Sequence, residues 1–186
     1  MSCYEALASS YDALTEDVGY EKRADFLEKL FRRSHIPVKV VLDLACGTGT
    51  MTWLLTGRGY ELIGVDGSEE MLAAAMSKGG TVQGVPPIFL HQSMPQLDLY
   101  GTVDAAICCL DSLNYLTDPA DVRRTFRRLH LFVAPGGVLV FDVNTVAKLA
   151  ALDGQVFLDE TEDTYCVWRA EYHRGCLLYT SPSPRD

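Results

Sequence analysis

The chain lacks the usual marks of a membrane, secreted, metal or nucleic-acid-binding protein. No apolar run approaches the roughly 20 residues that cross a bilayer. The first residues, Met1-Ser2-Cys3-Tyr4-Glu5, show no basic stretch followed by an apolar one, so no secretory leader is expected. The six cysteines have no Cys-x-x-Cys spacing, and Cys108 and Cys109 are neighbours in an apolar run. They read as buried, reduced thiols of a cytoplasmic protein, with no metal cluster and no disulfide framework. Positive charge is also scarce: 16 Lys and Arg stand against 25 Asp and Glu, a net charge of −9. A protein that holds nucleic acid or phosphate usually carries the opposite sign. The one basic run, Arg123-Arg124-Thr125-Phe126-Arg127-Arg128, fits the solvated side of a helix whose apolar side is Val122, Phe126 and Leu129. Neither a nucleic-acid nor a membrane partner is expected, and an acidic surface favours a cationic ligand.

What is present is an ordinary soluble composition. The 186 residues are 48% hydrophobic and 22% charged, enough for one domain with a sizeable core. The chain is organised around residues 40–50, Val40-Val41-Leu42-Asp43-Leu44-Ala45-Cys46-Gly47-Thr48-Gly49-Thr50. The apolar run reads as a strand buried on both faces. The small-residue turn from Ala45 to Gly49 lets the backbone meet a ligand closely, and a helix follows whose first N–H groups point back into the turn. Such a strand–turn–helix holds a nucleotide-like ligand at the carboxyl end of the strand. A dinucleotide fingerprint needs a third glycine where this chain has Thr52, and a phosphate loop needs Gly-Lys-Ser/Thr, which is absent. Instead Asp43 precedes the turn, where an acid suits an ammonium and repels a pyrophosphate.

Asp43-Leu44-Ala45-Cys46-Gly47-Thr48-Gly49 resembles the first motif of class I S-adenosylmethionine-dependent methyltransferases, Asp-x-x-Cys-Gly-x-Gly, although Gly is commoner there at the place of Ala45. A second strand, residues 61–66, ends in Asp66, the position that bonds ribose hydroxyls. Asp66-Gly67-Ser68 then opens a helix, with Ser68 as N-cap and Met71, Leu72, Ala75 and Met76 facing inward. Gly64-Val65-Asp66-Gly67-Ser68 followed by Met71-Leu72 resembles the family's second motif. After a third strand, residues 87–92, the family generally places an aspartate on the adenine amino group; here Ser93 stands instead, with the Met94 N–H near a ring nitrogen. His91 is expected to be packed in the sheet. A fourth strand, residues 103–109, leads into Leu110-Asp111-Ser112-Leu113-Asn114-Tyr115-Leu116, which in the resembled small-molecule subgroup lies beside the cofactor's methionine end. Tyr11-Asp12-Ala13-Leu14-Thr15 and Tyr20 are similar to that subgroup's helical cap, whose tyrosines close over the cofactor, although Arg23 stands where a tryptophan is usual.

The cap is expected to include a helix over residues 21–33 with Phe26, Leu27, Leu30 and Phe31 buried. Asp118 and Pro119 start a helix that ends at Pro135-Gly136-Gly137. A fifth strand follows over residues 138–143, then a short helix, then two strands over residues 155–158 and 164–173 that the resemblance assigns to a roof over the acceptor. Residues 176–186 read as the translation of a transposon-type sequencing adaptor, and the Ser-Pro repeats in them cannot pair in a sheet. The expected layout is therefore a cap over 1–36, a cofactor core over 37–145, the start of a roof over 146–175 and a foreign tail over 176–186. The expected fold is α/β, a Rossmann-like, doubly wound, mostly parallel sheet with strands one to five present. The family's last two strands are missing, which leaves strand five as an apolar edge and the chain prone to aggregate.

The resemblance implies transfer of a methyl group from S-adenosyl-L-methionine to a nitrogen or oxygen of a small molecule. The implied cofactor contacts are Tyr11, Tyr20, Asp43, Ala45, Gly47, Gly49, Asp66, Gly67, Ser93, Met94, Leu110 and Asp111. Asp111 and Tyr11 are the candidate proton acceptors. The rival readings are a cofactor-binding but inactive fragment or sensing module, and an RNA methyltransferase, against which the acidic balance argues.

Overall fold

Strands and helices alternate through most of the chain, and the alternation builds a parallel sheet. The computed structural model describes residues 11–15, 18–79, 84–160, 165–173 and 176–180. These divide into two units: Val18–Val143, and the described residues on either side of it. A turn of helix, α1 (Tyr11–Leu14), belongs to the second unit. The first unit runs α2 (Tyr20–Phe31), β1 (Val40–Leu44), α3 (Thr50–Gly57), β2 (Glu61–Asp66), α4 (Glu69–Ser77), β3 (Ile88–His91), β4 (Val103–Cys108), α5 (Pro119–Phe132) and β5 (Val133–Phe141). Short 3-10 turns at Met94–Gln96 and Ser112–Tyr115 follow β3 and β4.

The five strands are parallel in the order β3-β2-β1-β4-β5, so the chain reverses direction across the sheet between β1 and β4. Alternation of side chains sorts the central strands into two cores. Leu42, Leu44, Ala106 and Cys108 join Leu129 and Phe132 of α5. Val41, Ala105 and Ile107 join Leu55 of α3 and Leu27 and Phe31 of α2. Asp104 interrupts the apolar run of β4 for a reason: its Oδ2 accepts from Lys39 N at 2.8 Å and Val40 N at 2.9 Å, fixing the start of β1.

Several local expectations change. Phe26 and Met76 are exposed at 58% and 57%. The buried stripe of α2 is Ala24, Leu27 and Phe31, and that of α4 is Met71, Leu72 and Ala75. Successive helical residues turn about 100°, so Phe26 falls off a stripe that a small alanine occupies. Helix α2 covers Tyr20–Phe31, a residue earlier at its start than its pattern suggests. Helix α5 stops at Phe132, and pairing with β4 begins at Val133, with an irregularity between Val103 and Ala105. β5 closes at Phe141, before Val143. The arginines of α5 divide: Arg123, Arg124 and Arg127 are exposed, while Arg128 donates to the Leu97 carbonyl and to Asp98. As expected, β5 is an edge of its sheet.

The second unit holds α6 (Val146–Ala151) and an antiparallel sheet of β6 (Val156–Glu160), β7 (Tyr165–His173) and β8 (Cys176–Thr180), in that order. Residues 176–180 thus pair with β7, from His173↔Cys176 to Arg169↔Thr180, a strand that the sequence reading, which ended the domain at 175, did not place. The Ser-Pro run at 181–186 lies outside the described residues. No helix among the described residues is long and apolar enough to cross a membrane.

Candidate cofactor site

Parallel pairing brings the ends of β1, β2 and β4 to one edge of the sheet, on either side of the point where strand order reverses. Ligands bind in the crevice outside such a point. The register Leu44↔Val65 sets the turn after β1 beside the end of β2, and Asp43↔Ile107 sets β1 beside β4.

The turn is tight and partly strained. Cys46 N donates to Val65 O at 3.0 Å, and Gly49 N donates to Cys46 O at 2.9 Å. Ala45, Gly47 and Gly49 all have left-handed backbones, at φ 61°, 55° and 72°. The two glycines are needed for different reasons. A Cβ on Gly49 would lie 2.9 Å from Ala75 Cβ and 3.2 Å from the Phe89 ring, so Gly49 lets α3 start against α4 and β3. A Cβ on Gly47 would meet nothing within 4 Å, so Gly47 faces open space where a ligand can approach.

Asp66 locks this corner. Its Oδ2 accepts from Gly47 N at 2.8 Å and its Oδ1 from Ser68 N at 2.9 Å. A carboxylate has about four lone-pair sites, so two remain for hydroxyls of a ligand. Ser68 caps α4 by accepting from Met71 N at 3.2 Å. Gly67 lies between them, and its carbonyl oxygen faces His91 Nε2 at 3.0 Å. His91 is exposed rather than packed, its Nδ1 3.2 Å from Glu69. At the end of β3 the last inward positions alternate away, and the ring turns outward to the α4 start.

Asp43 is buried, 3% exposed, and Thr52 Oγ1 donates to its Oδ2 at 2.6 Å. Burial raises the carboxyl to about 6; the Thr52 hydrogen bond pulls it back in part, and the charge of Asp66 adds to the rise. Thr52, the residue that breaks the dinucleotide fingerprint, is therefore the partner of the acid that replaces a phosphate site. The helix that carries Thr52 was foreseen from the motif, but the bond from its hydroxyl to Asp43 was not. Burial, with Asp43 and Asp66 nearby, also pushes the Cys46 thiol far up, so it stays neutral.

Beyond β4 the chain bends sharply: Leu110 and Asp111 are both left-handed, at φ 58° and 50°. Asp111 precedes the 3-10 turn but makes no side-chain cap bond to it. Its N–H donates to Asp142 Oδ1 at 3.2 Å, a partner the sequence did not point to. Ser93 donates its hydroxyl to Gln96 Oε1 at 3.0 Å, and Met94 packs on the core beneath. Both follow β3, whose end is tied to β2 by Gln92 N donating to Asp66 O at 2.9 Å. Tyr20 packs against the core of α2 and α3. Tyr11 belongs to α1 in the second unit, where its carbonyl accepts from Thr15 Oγ1 at 2.9 Å.

The donor set suits a cation carrying hydroxyls: two carboxylates, a glycine facing open space and no lysine or arginine among the residues named. Among the described residues no group of three or more His, Cys, Asp or Glu could hold a metal ion.

Comparison with known proteins agrees. The family described as a methyltransferase domain matches residues 41–137. The putative methyltransferase YqeM of Bacillus subtilis (strain 168) is 37% identical over 170 residues, which cover 90% of this chain and 66% of that protein. The chain thus spans about two thirds of that relative's length. A glycine/sarcosine/dimethylglycine N-methyltransferase of Actinopolyspora halophila is 30% identical over 146 residues, 75% of this chain and 25% of that one. The crystal structure of an S-adenosylmethionine-dependent methyltransferase from Clostridium acetobutylicum ATCC 824 superposes with a TM-score of 0.79 at 28% identity, covering 97% of this chain and 79% of that one.

Proposed function

The chain belongs to the methyltransferase domain family, and from that premise we propose that it binds S-adenosylmethionine at the carboxyl edge of β1, β2 and β4 and moves its methyl group to a nitrogen or oxygen of a small molecule. The observation that carries the reading is the pair of acids: Asp43 buried under the glycine turn and Asp66 pinned to Gly47 and Ser68. The cofactor supplies an electrophilic methyl group on a sulfonium.

The protein's part is placement. Asp66 takes the ribose hydroxyls with its remaining lone pairs, and Gly67 leaves that face open. Asp43 takes the ammonium end, and the backbone of Ala45, Gly47 and Gly49 runs along the methionine portion. Ser93 and the Met94 N–H take the adenine edge. Leu110 and Asp111 border the methionine end, and Tyr20 offers an aromatic face to the positive charge, worth about 0.5–2 kcal/mol where it meets it. Holding an acceptor lone pair in line with the methyl carbon supplies most of the rate such a reaction needs. Asp111 receives the proton an acceptor sheds. A small acceptor is supported by the acidic chain and by the relative named for glycine and sarcosine.

The test is calorimetry with S-adenosylmethionine on the protein and on Asp66→Ala. Loss of a charged hydrogen-bond acceptor costs about 1.5–3 kcal/mol per bond, so affinity should fall at least about tenfold. Unchanged affinity sinks the reading. Binding with no release of S-adenosylhomocysteine, over a pool of small amines and phenols, leaves a silent binding module in its place.

A further inference from the structure

We propose that Asp142 is a positioning residue whose carboxylate holds the Asp111 amide and so keeps the Leu110-Asp111 bend in its left-handed form beside the cofactor site. The inference rests on the proposed function only in its last clause.

Two successive non-glycine residues with φ of 58° and 50° are uncommon, and leucine is among the side chains least suited to that region. Such a bend persists only where its surroundings over-determine it. The hydrogen bonds around it come from several directions. Asp111 O accepts from Asn114 N at 2.8 Å, and Ser112 Oγ donates to Cys109 O at 2.8 Å, so the turn is closed on its far side. On the near side Asp111 N donates to Asp142 Oδ1 at 3.2 Å, across 31 residues of chain. The bond links the bend to the residue that follows β5.

Asp142 is itself well placed to act as a fixed post. It follows β5 directly, and its own N–H reaches Cys108 O at 3.4 Å, extending the β4–β5 ladder whose last paired residues are Cys108 and Phe141. Its second oxygen, Oδ2, lies 4.0 Å from Arg23 Nη1 of α2. Arg23 is held in turn by its Nε donating to Val18 O at 3.2 Å. Arg23 is the residue that departs from the family's tryptophan, and it stands here as a cation beside the post. Cys109 records the same neighbourhood. Burial, then the charges of Asp43 and Asp142, push its thiol up to about 12, with Arg23 working against them.

The experiment compares Asp142→Ala with Asp142→Asn, whose amide oxygen can still accept from Asp111 N. Two readouts are taken: hydrogen exchange at the Asp111 amide by NMR in the free protein, and calorimetric affinity for S-adenosylhomocysteine. Asp142→Ala should speed exchange at Asp111 by about tenfold, with Leu42 in β1 unmoved, and weaken affinity by about tenfold, the loss of one hydrogen bond. Asp142→Asn should stay within about threefold in both, since a neutral acceptor keeps about half the strength of the bond. Unchanged exchange in the alanine variant overturns the proposal. So does an equal loss in both variants, which would mean that the charge acts and the acceptor does not. Should the alanine variant not fold, the unaltered protein decides: the Asp111 amide shift must follow the Asp142 carboxyl carbon through its pH titration, and independence refutes the bond. If the unaltered protein fails to bind, the cofactor reading falls while the exchange readout still judges Asp142.

Discussion

Ala45 carries a cost that its neighbours avoid. It is the one non-glycine among three left-handed residues of the turn, and a left-handed L-residue costs roughly 1–2 kcal/mol. Ala45→Gly should therefore raise the midpoint of urea unfolding, offset in part by the extra freedom glycine gains in the unfolded chain; an unchanged or lower midpoint would count against the strain. Asp43 gives a prediction in pH. Its folded carboxyl titrates at about 6, above the roughly 3.9 of an unfolded chain. Its contribution to stability is thus complete below about pH 4 and is lost as pH rises through about 6. An arriving ammonium favours the ionised form, so affinity for S-adenosylmethionine should rise between pH 5 and 7. In Asp43→Asn that rise should flatten, and the empty protein should unfold later than the parent at pH 7. A rise that survives in Asp43→Asn would show that another group titrates.

At the scale of elements, the strand–turn–helix at β1 divides its labour between two glycines. Gly49→Ala should lower the melting temperature, because Ala75 and the Phe89 ring stand in the way of the new methyl group. Gly47→Ala meets no such obstacle. It should lose only the roughly 1–2 kcal/mol of a left-handed backbone while losing most of its affinity for the cofactor. Calorimetry beside thermal melts separates the two, and a Gly47 variant that binds normally would place the ligand elsewhere. This turn was readable from sequence because its chemistry is local: an acid, small residues and a helix start within ten positions. The helix faces were read less well. Thr125 is fully buried in α5 with an unpartnered hydroxyl, and Ala24 is buried in α2, while Phe26 lies exposed. Size and polarity mislead where the packing stripe happens to carry a small or polar residue.

Among the described residues the sheet of the first unit ends at β5, and that edge carries a prediction for the whole chain. Val138, Val140 and Phe141 line an open groove of about 320 Å³ with Leu30 and Arg33. A strand edge with unpaired N–H and C=O groups and apolar neighbours is a template for another chain. Light scattering should therefore rise with protein concentration, and Val138→Lys should suppress the rise; scattering that is flat with concentration would remove the expectation. The five strands of the parallel sheet were legible because each announces itself as an apolar run. The Asp142 contact was not, since it joins residues 31 apart through a bend whose backbone angles no residue type declares. The pairing of residues 176–180 with β7 was missed for a related reason. An adaptor-like reading and the prolines beyond it hid five residues that can pair.

Asp66 keeps both its oxygens on amides of its own chain, Gly47 and Ser68. The corner is therefore standing before any visitor comes. Little chain freedom is left to surrender on capture, and surrendered freedom is a main cost of binding. On the proposed reading, uptake at this corner is governed by how often a nucleoside reaches the mouth, not by how fast the loop rearranges to receive it.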